Sequence, residues 1–424
     1  MKILWVKAGG LAPLDTGGKI RSYHILKELA RNHEVTLFTF YAEQANDPHP
    51  ELKTVFNRVE AIPLRLPPPK SFLEGIWYLR HLISTQPHSI AKFCRPEVKQ
   101  RLRRVLAQEA ADVILCDFLM PAPVIPWESS TPKVIFTHNV EAQIWQRHYQ
   151  TAQNLIWKTV AWREYRTMER AERKYLSKAD HVLTVSDLDR DFFCRYLDPL
   201  KVTVIPTGVD TEYFHPAPGS EHTDRLVFTG SMDWMPNEDG IVYFVQEILP
   251  IIRQQAPETT LCIVGRRPSE RLKASVGKIH GVEITGRVED IRPYVHTAAA
   301  YIVPLRVGGG TRLKIFEAMA MGKPVVSTTI GAEGLPVRDK KDILLADDPQ
   351  KFAASALQLL RSPDLRSQIG LAGRALVESG YSWAAIGARF ADVLERVVRG
   401  EATDLAGSER PEATAAATPE APKI

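Results

Sequence analysis

Gly308-Gly309-Gly310-Thr311-Arg312-Leu313-Lys314-Ile315-Phe316-Glu317-Ala318-Met319 joins three glycines to an amphipathic helical pattern. An apolar, strand-like run at 301–303 precedes it. Glycines there let the backbone approach a ligand closely. The residues that follow offer free N–H groups at a helix N-terminus, a ready anion site. Arg312 and Lys314 add fixed positive charge, which suits a diphosphate. Glu317 lies further into the helix and faces back toward the loop, where its carboxylate can accept hydrogen bonds from two ribose hydroxyls. A Gly-rich turn beside a solvated Arg/Lys pair is the plain alternative. The length of the string and its position late in the chain favour the ligand site.

Working outward, short apolar runs alternate with helical patterns. In the first half the expected strands are 3–6, 35–40, 113–116, 134–137, 182–185 and 202–205, with helices at 21–31, 96–109 and 161–176. The pattern restarts with strands at 225–229, 260–264, 282–284, 301–303 and 324–327 and helices at 240–255, 313–321 and 350–360. Alternation of this kind predicts an α/β fold, two Rossmann-like domains with parallel sheets covered by helices. The Pro/Gly-rich stretch His215-Pro216-Ala217-Pro218-Gly219-Ser220 reads as a linker. The expected organisation is a first domain at 1–205, a linker at 206–220, a second domain at 221–380, a closing helix at 381–400 that crosses back to the first domain, and a tail at 401–424. The tail is rich in Ala, Thr, Glu and Pro and holds too little apolar surface to offset ordering, so disorder is expected there.

Composition narrows the functional classes. The chain has 424 residues, 44% hydrophobic and 25% charged, with a formal net charge of +4. That charge is small for the length and gives no argument for nucleic acid. The four cysteines, Cys94, Cys116, Cys194 and Cys262, form no CxxC pair, so neither a disulfide framework nor a zinc site is expected. No run approaches the roughly 18 apolar residues of a membrane span, and the N-terminal apolar run is too short for a signal peptide. The expectation is a cytoplasmic protein, with peripheral contact at the inner face of the membrane left open.

The string from Gly308 to Val326 resembles the donor-binding segment of the family 4 retaining glycosyltransferases, which adopt the GT-B fold. Val202-Thr203-Val204-Ile205-Pro206-Thr207-Gly208-Val209-Asp210 is similar to that family's interdomain stretch. Ala179-Asp180-His181-Val182-Leu183-Thr184-Val185-Ser186 and Tyr381-Ser382-Trp383 match it as well. Gly18-Lys19-Ile20-Arg21-Ser22-Tyr23 and Gly230-Ser231-Met232-Asp233-Trp234 resemble a branch tied to bacterial exopolysaccharide and exosortase systems. The resemblance implies sugar transfer from a nucleoside diphosphate to a saccharide or lipid-linked saccharide, in a deep cleft between the domains, with neither metal nor cofactor. It implies diphosphate binding by Gly309, Gly310, Thr311, Arg312 and Lys314, with Gly230 on the donor side; Arg287, which ends a strand-like run at the expected cleft, is a further donor-side candidate, with a solvated loop arginine as the equal alternative. Glu317 would take the ribose, and His138, Lys314 and Glu317 would be the catalytic set.

Two departures stand out. The family's paired glutamates, E-x7-E, keep only Glu317, because the first position is Gly309. The basic pair that follows the first strand of the second domain is absent after Gly230, where Ser231 stands.

His138 follows an expected strand, where open α/β sheets place ligands. It resembles the family's active-site histidine, although a buried turn histidine is the ordinary alternative. Asn139 and Glu141 are candidates for acceptor contacts, and Gly17 and Gly18 for the acceptor and sugar side. Arg266 ends another strand near the expected cleft. Two basic helical stretches, 99–104 and 158–178, are candidate membrane faces. Two rival readings remain open: a nucleotide-sugar 2-epimerase of the same fold, and a non-catalytic partner that binds nucleotide sugar. A dehydrogenase is disfavoured, since no GxGxxG follows an early strand.

Overall fold

The computed structural model describes all residues except 15, 44–48, 69–70, 83, 153, 218–220, 308–312 and 402–424. Gly309, Gly310, Thr311 and Arg312, and nearly all of the expected disordered tail, therefore lie outside the described residues.

Two parallel sheets organise the chain. The first holds β1 (Lys2–Ala8), β2 (Glu34–Ala42), β3 (Arg58–Leu64), β4 (Val113–Asp117), β5 (Lys133–Phe136), β6 (His181–Thr184) and β7 (Val202–Val204), in the order β3-β2-β1-β4-β5-β6-β7. The second holds β8 (His222–Thr229), β9 (Thr260–Val264), β10 (Val282–Gly286), β11 (Ala298–Val303), β12 (Val325–Ser327) and β13 (Leu344–Leu345), in the order β10-β9-β8-β11-β12-β13. The central strands are apolar on both faces; β1 and β11 are buried almost throughout, as expected where helices cover both sides.

The helices of the first half are α1 (Gly17–Leu29), α2 (Phe72–His81), α3 (His88–Ala91), α4 (Pro96–Gln108), α5 (Glu141–Thr151), α6 (Leu155–Leu176) and α7 (Asp187–Phe193). Those of the second half are α8 (Met235–Tyr243), α9 (Leu249–Gln255), α10 (Glu270–Val276), α11 (Arg292–His296), α12 (Leu313–Ala320), α13 (Pro349–Arg361) and α14 (Pro363–Gly380), followed by α15 (Trp383–Arg399). The single helix expected at 240–255 starts earlier and is split into α8 and α9 by a wide turn at Phe244–Ile248.

The sequence pattern does not announce strands β3 and β13, nor helices α2, α3, α5, α7, α10, α11 and α14. β3 carries Pro63, which removes a ladder donor, and the strand is tolerated because it lies at the sheet edge. β13 is only two residues long, too short to register as a pattern.

In each sheet the strand order reverses beside the first strand, between β1 and β4 and again between β8 and β11. Open parallel sheets bind ligands outside the carboxyl ends of the strands at such switch points. Topology alone therefore marks Lys7 and Asp117 in the first half, and Gly230 in the second.

Helix α15 belongs to the core of the first half. Ile386, Phe390, Val393 and Leu394 join the cluster built on Trp5, Ile25 and Phe136, and Phe390 stacks on Trp5 at 5.6 Å. Trp383 stacks on His24 of α1 at 4.9 Å and nearly parallel. Two glycines permit this packing. A Cβ on Gly208 would fall 2.6 Å from the Trp383 ring, and one on Gly387 would fall 2.4 Å from Cβ of Glu28.

Candidate active site

On the first sheet, Lys7 stands next to last in β1 and Asp117 closes β4, both buried. The Lys7 Nζ donates to Asp117 Oδ2 at 2.8 Å. Ser22 Oγ of α1 and Trp5 Nε1 donate to the same oxygen at 2.7 and 3.0 Å. His138, just beyond β5, places Nε2 2.7 Å from Asp117 Oδ1. Its other nitrogen, Nδ1, lies 3.0 Å from the Arg21 guanidinium, and Arg21 also donates to Thr207 Oγ1.

The chemistry of these partners fixes the tautomer of His138. A guanidinium can only donate, so Nδ1 accepts and the proton sits on Nε2, facing Asp117. Burial, with Arg21 and Lys7 adding to it and Asp117 opposing, pulls the imidazole down to about 4. Burial alone would raise the Asp117 carboxyl, but Lys7 and His138 overcome it and hold the group well below the usual carboxylate range. Burial likewise lowers the Lys7 ammonium against the pull of Asp117, and brings Arg21 down to about 10.

Phe118 lies flat against the His138 ring, 3.8 Å between centroids, with a left-handed φ of 64°. Gly18 makes that stack possible, since a Cβ there would come within 2.7 Å of Phe118 Cζ. Gly17 has no such role: it opens α1 with free space around its Cα. Asn139 is exposed and Glu141 half-buried at the start of α5. Burial raises the Glu141 carboxyl, with the Asn139 side chain opposing. Behind it, Glu172 of α6 accepts from the Ala142 N–H at 3.0 Å, and burial pushes its carboxyl up to about 8. A cavity of about 190 Å³ opens here, lined by Ile90, Leu119, Met120, Glu141, Trp145 and His148 among others.

On the second sheet, Gly230 follows β8 directly. The Lys314 Nζ reaches across from α12 to Asn237 Oδ1 at 2.7 Å, passing 4.2 Å over the Phe228 ring. Asn237 is buried, and its Nδ2 donates to the Ser231 carbonyl at 2.8 Å. A Cβ on residue 230 would lie 2.7 Å from the lysine nitrogen and 2.6 Å from Asn237 Nδ2, so Gly230 is what lets the ammonium lie over the strand end. A lysine at the start of a helix opposes the macrodipole; a bound anion would offset that cost. Glu317 stands three residues on, on the same helix face. Burial pushes its carboxyl up to about 7, with Lys314 opposing.

The arginines divide. Arg266 donates to Ser231 Oγ at 3.0 Å and so joins the Gly230 loop. Arg306, close in sequence to the glycine run, is committed to Asp239 at 2.7 and 3.1 Å. Arg287 is exposed just beyond edge strand β10, which pairs with β9, so it stands two strands from β8. Sequence reasoning missed Lys7, Arg21, Asp117 and Asn237. For Lys7 and Asp117 a signal existed, a charged residue at or next to the end of an otherwise apolar strand.

A pair of parallel sheets, each with a polar site at its switch point, defines a two-domain α/β protein of the GT-B type. Matches to known proteins carry this to the family. Residues 16–213 match the model "Glycosyltransferase Family 4" and residues 223–362 match "Glycosyl transferases group 1". The chain belongs to the family 4 glycosyltransferases.

It is 22% identical over 400 residues to a 44.6 kDa protein in the cps region of Klebsiella pneumoniae, covering 90% of this chain and 96% of that protein. It is 27% identical over 258 residues to the GDP-mannose-dependent alpha-(1-6)-phosphatidylinositol monomannoside mannosyltransferase of Mycolicibacterium smegmatis, covering 55% of this chain and 67% of the relative. The crystal structure of Anabaena HepE in complex with UDP superposes with a TM-score of 0.63 at 16% identity, over 93% of this chain and all of HepE (100%).

Proposed function

We propose that this glycosyltransferase moves a sugar, with retention at the anomeric carbon, from a nucleoside-diphosphate sugar to a hydroxyl of a lipid-linked saccharide. Its setting would be exopolysaccharide assembly, at the inner face of the cytoplasmic membrane. The observation that carries the reading is the face shared by Lys314 and Glu317 at the end of β8, under the opening left by Gly230. The relatives add to it: one is named for GDP-mannose and a phosphatidylinositol acceptor, one lies in a cps region, and a structural neighbour holds UDP.

In this proposal Lys314, with Arg312 and the amides of residues 309–311, neutralises the leaving diphosphate, and no metal is called on. Preorganised cations and N–H donors of this kind stabilise developing negative charge. The ionised Glu317 accepts hydrogen bonds from the ribose hydroxyls. The bond from the anomeric carbon to the phosphate oxygen breaks. The acceptor oxygen bonds to that carbon on the same face, and the acceptor proton passes to the departing phosphate. This route suits a His138 ring whose two nitrogens are both engaged; His138 then positions the sugar-side loop. Closure of the two halves over donor and acceptor completes the site.

Calorimetric titration of UDP and GDP into the wild type and Glu317→Ala tests the donor site. One nucleotide is expected to bind, and the variant to bind it at least about tenfold more weakly. Binding of neither would remove the basis of the reading. Release of nucleoside diphosphate only when an acceptor is present separates a transferase from an epimerase.

A further inference from the structure

Helix α2 is built from FLEGIWYLRH, yet none of its residues is buried. Phe72 is 84% exposed, and Leu73, Leu79 and the adjoining Leu82 are exposed with it. The first two turns of α6 repeat the pattern: Leu155 is 79% and Ile156 77% exposed, followed by exposed Trp157 and Trp162. Arg163 of α6 ties the two together by donating to the carbonyls of His81 and, at 3.0 Å, Ser84. Trp157 continues the surface to Trp145 of α5, 6.2 Å between ring centroids, and Trp145 lines the cavity that holds Glu141. An apolar surface this concentrated on a soluble fold marks a contact surface.

We infer that α2 and the start of α6 form a face that docks on an anionic lipid bilayer. The charges select this occupant. Helix α6 carries six basic residues and three acidic ones, and two of the acids, Glu164 and Glu172, are buried. Arg80 on α2 and Lys158 on α6 are exposed within the two apolar segments, Glu74 being the one acidic residue of α2, and no acidic residue occurs between Leu155 and Arg163. Exposed Leu, Ile, Phe and Trp edged by Lys and Arg are the composition of a segment lying in the lipid interface. The basic stretch on α4 is less suited, because α4 presents no exposed large apolar residue. No helix among the described residues is long and apolar enough to cross a membrane, so the contact is with the surface. It rests on the proposed lipid-linked acceptor in one respect: it opens the Glu141 cavity beside the bilayer.

Sedimentation of the full chain with vesicles tests this. The chain is expected to bind vesicles containing phosphatidylglycerol, more weakly at high salt, and to bind phosphatidylcholine vesicles poorly. Phe72→Ser with Leu73→Ser, and separately Ile156→Ser with Trp157→Ser, should each lower the bound fraction about tenfold or more. Leu371→Ser, an exposed apolar site on α14, should leave it unchanged. Absence of vesicle binding, or pair variants that bind like the wild type, would overturn the inference. So would a wild-type dimer in light scattering that the pair variants dissociate, since the face would then be covered by a second copy. Nucleotide titration on the same samples keeps the two ideas apart: vesicle binding without nucleotide binding would sink the functional reading and leave the surface standing.

Discussion

The two switch points hold similar residue types in different arrangements. In the first half Asp117 receives Lys7, Ser22, Trp5 and His138, and His138 also receives Arg21. Nearly every hydrogen-bonding valence is filled by the protein. In the second half Lys314 reaches the Asn237 side chain and lies over the Phe228 ring, and burial pushes the Glu317 carboxyl up to about 7. A closed polar network rigidifies its surroundings, whereas a lysine and a carboxyl on one helix face beside the gap left by Gly230 suit the charge and hydroxyls of a ligand. In the proposed reading the first site is a scaffold for a loop, and the second a receptor for charge and hydroxyls.

The contrast is sharpest under substitution. Asp117→Asn keeps the shape but leaves the Lys7 charge uncompensated in the interior. Urea unfolding should show a loss of about 3–5 kcal/mol; a loss close to zero would mean the network is not closed. Lys314→Ala should leave stability nearly unchanged and lower kcat/KM for transfer by about 100- to 1,000-fold. Equal effects of the two variants on stability would erase the distinction.

Two adjacent glycines probe the scaffold more finely. Gly18→Ala pushes against the Phe118 ring and should cost about 1–2 kcal/mol. Gly17→Ala meets open space and should be neutral or stabilise by up to about 1 kcal/mol through helix propensity. Thermal melts of the pair decide the point.

Acidity separates the sites most gently. His138 is held at about 4 against 6.5 in the unfolded chain. As pH falls below 6.5 the unfolded state takes the proton first, so stability declines toward pH 4. His138→Asn should flatten that part of the melting profile. Glu317, raised to about 7, is protonated below that pH and loses acceptor capacity. Nucleotide affinity should then weaken by up to about tenfold per pH unit, and Glu317→Gln should remove the dependence.

Much of this was legible in the sequence. The apolar runs located eleven of the strands, because parallel strands buried on both faces read as continuous apolar stretches. The Lys314 and Glu317 spacing was legible because a helix places such residues on one face. The Asp117 network was not, because its members lie 95 and 110 residues apart and meet only once the sheet order is set. Asn237 was hidden for the same reason: its partner Lys314 is 77 residues away. The exposed face of α2 is not legible either, since its apolar residues look like core until the helix is seen to bury none of them.

The placement of α15 has a consequence for biosynthesis. The chain leaves the ribosome from its N-terminus, so the first sheet emerges early, yet the ring that covers Trp5 is Phe390. Until nearly the whole sequence has been made, that half carries an open apolar seam along α1. It waits through the synthesis of the entire second sheet for its last helix. Release of a shortened product would therefore leave a protein with an intact second half and an unfinished first half.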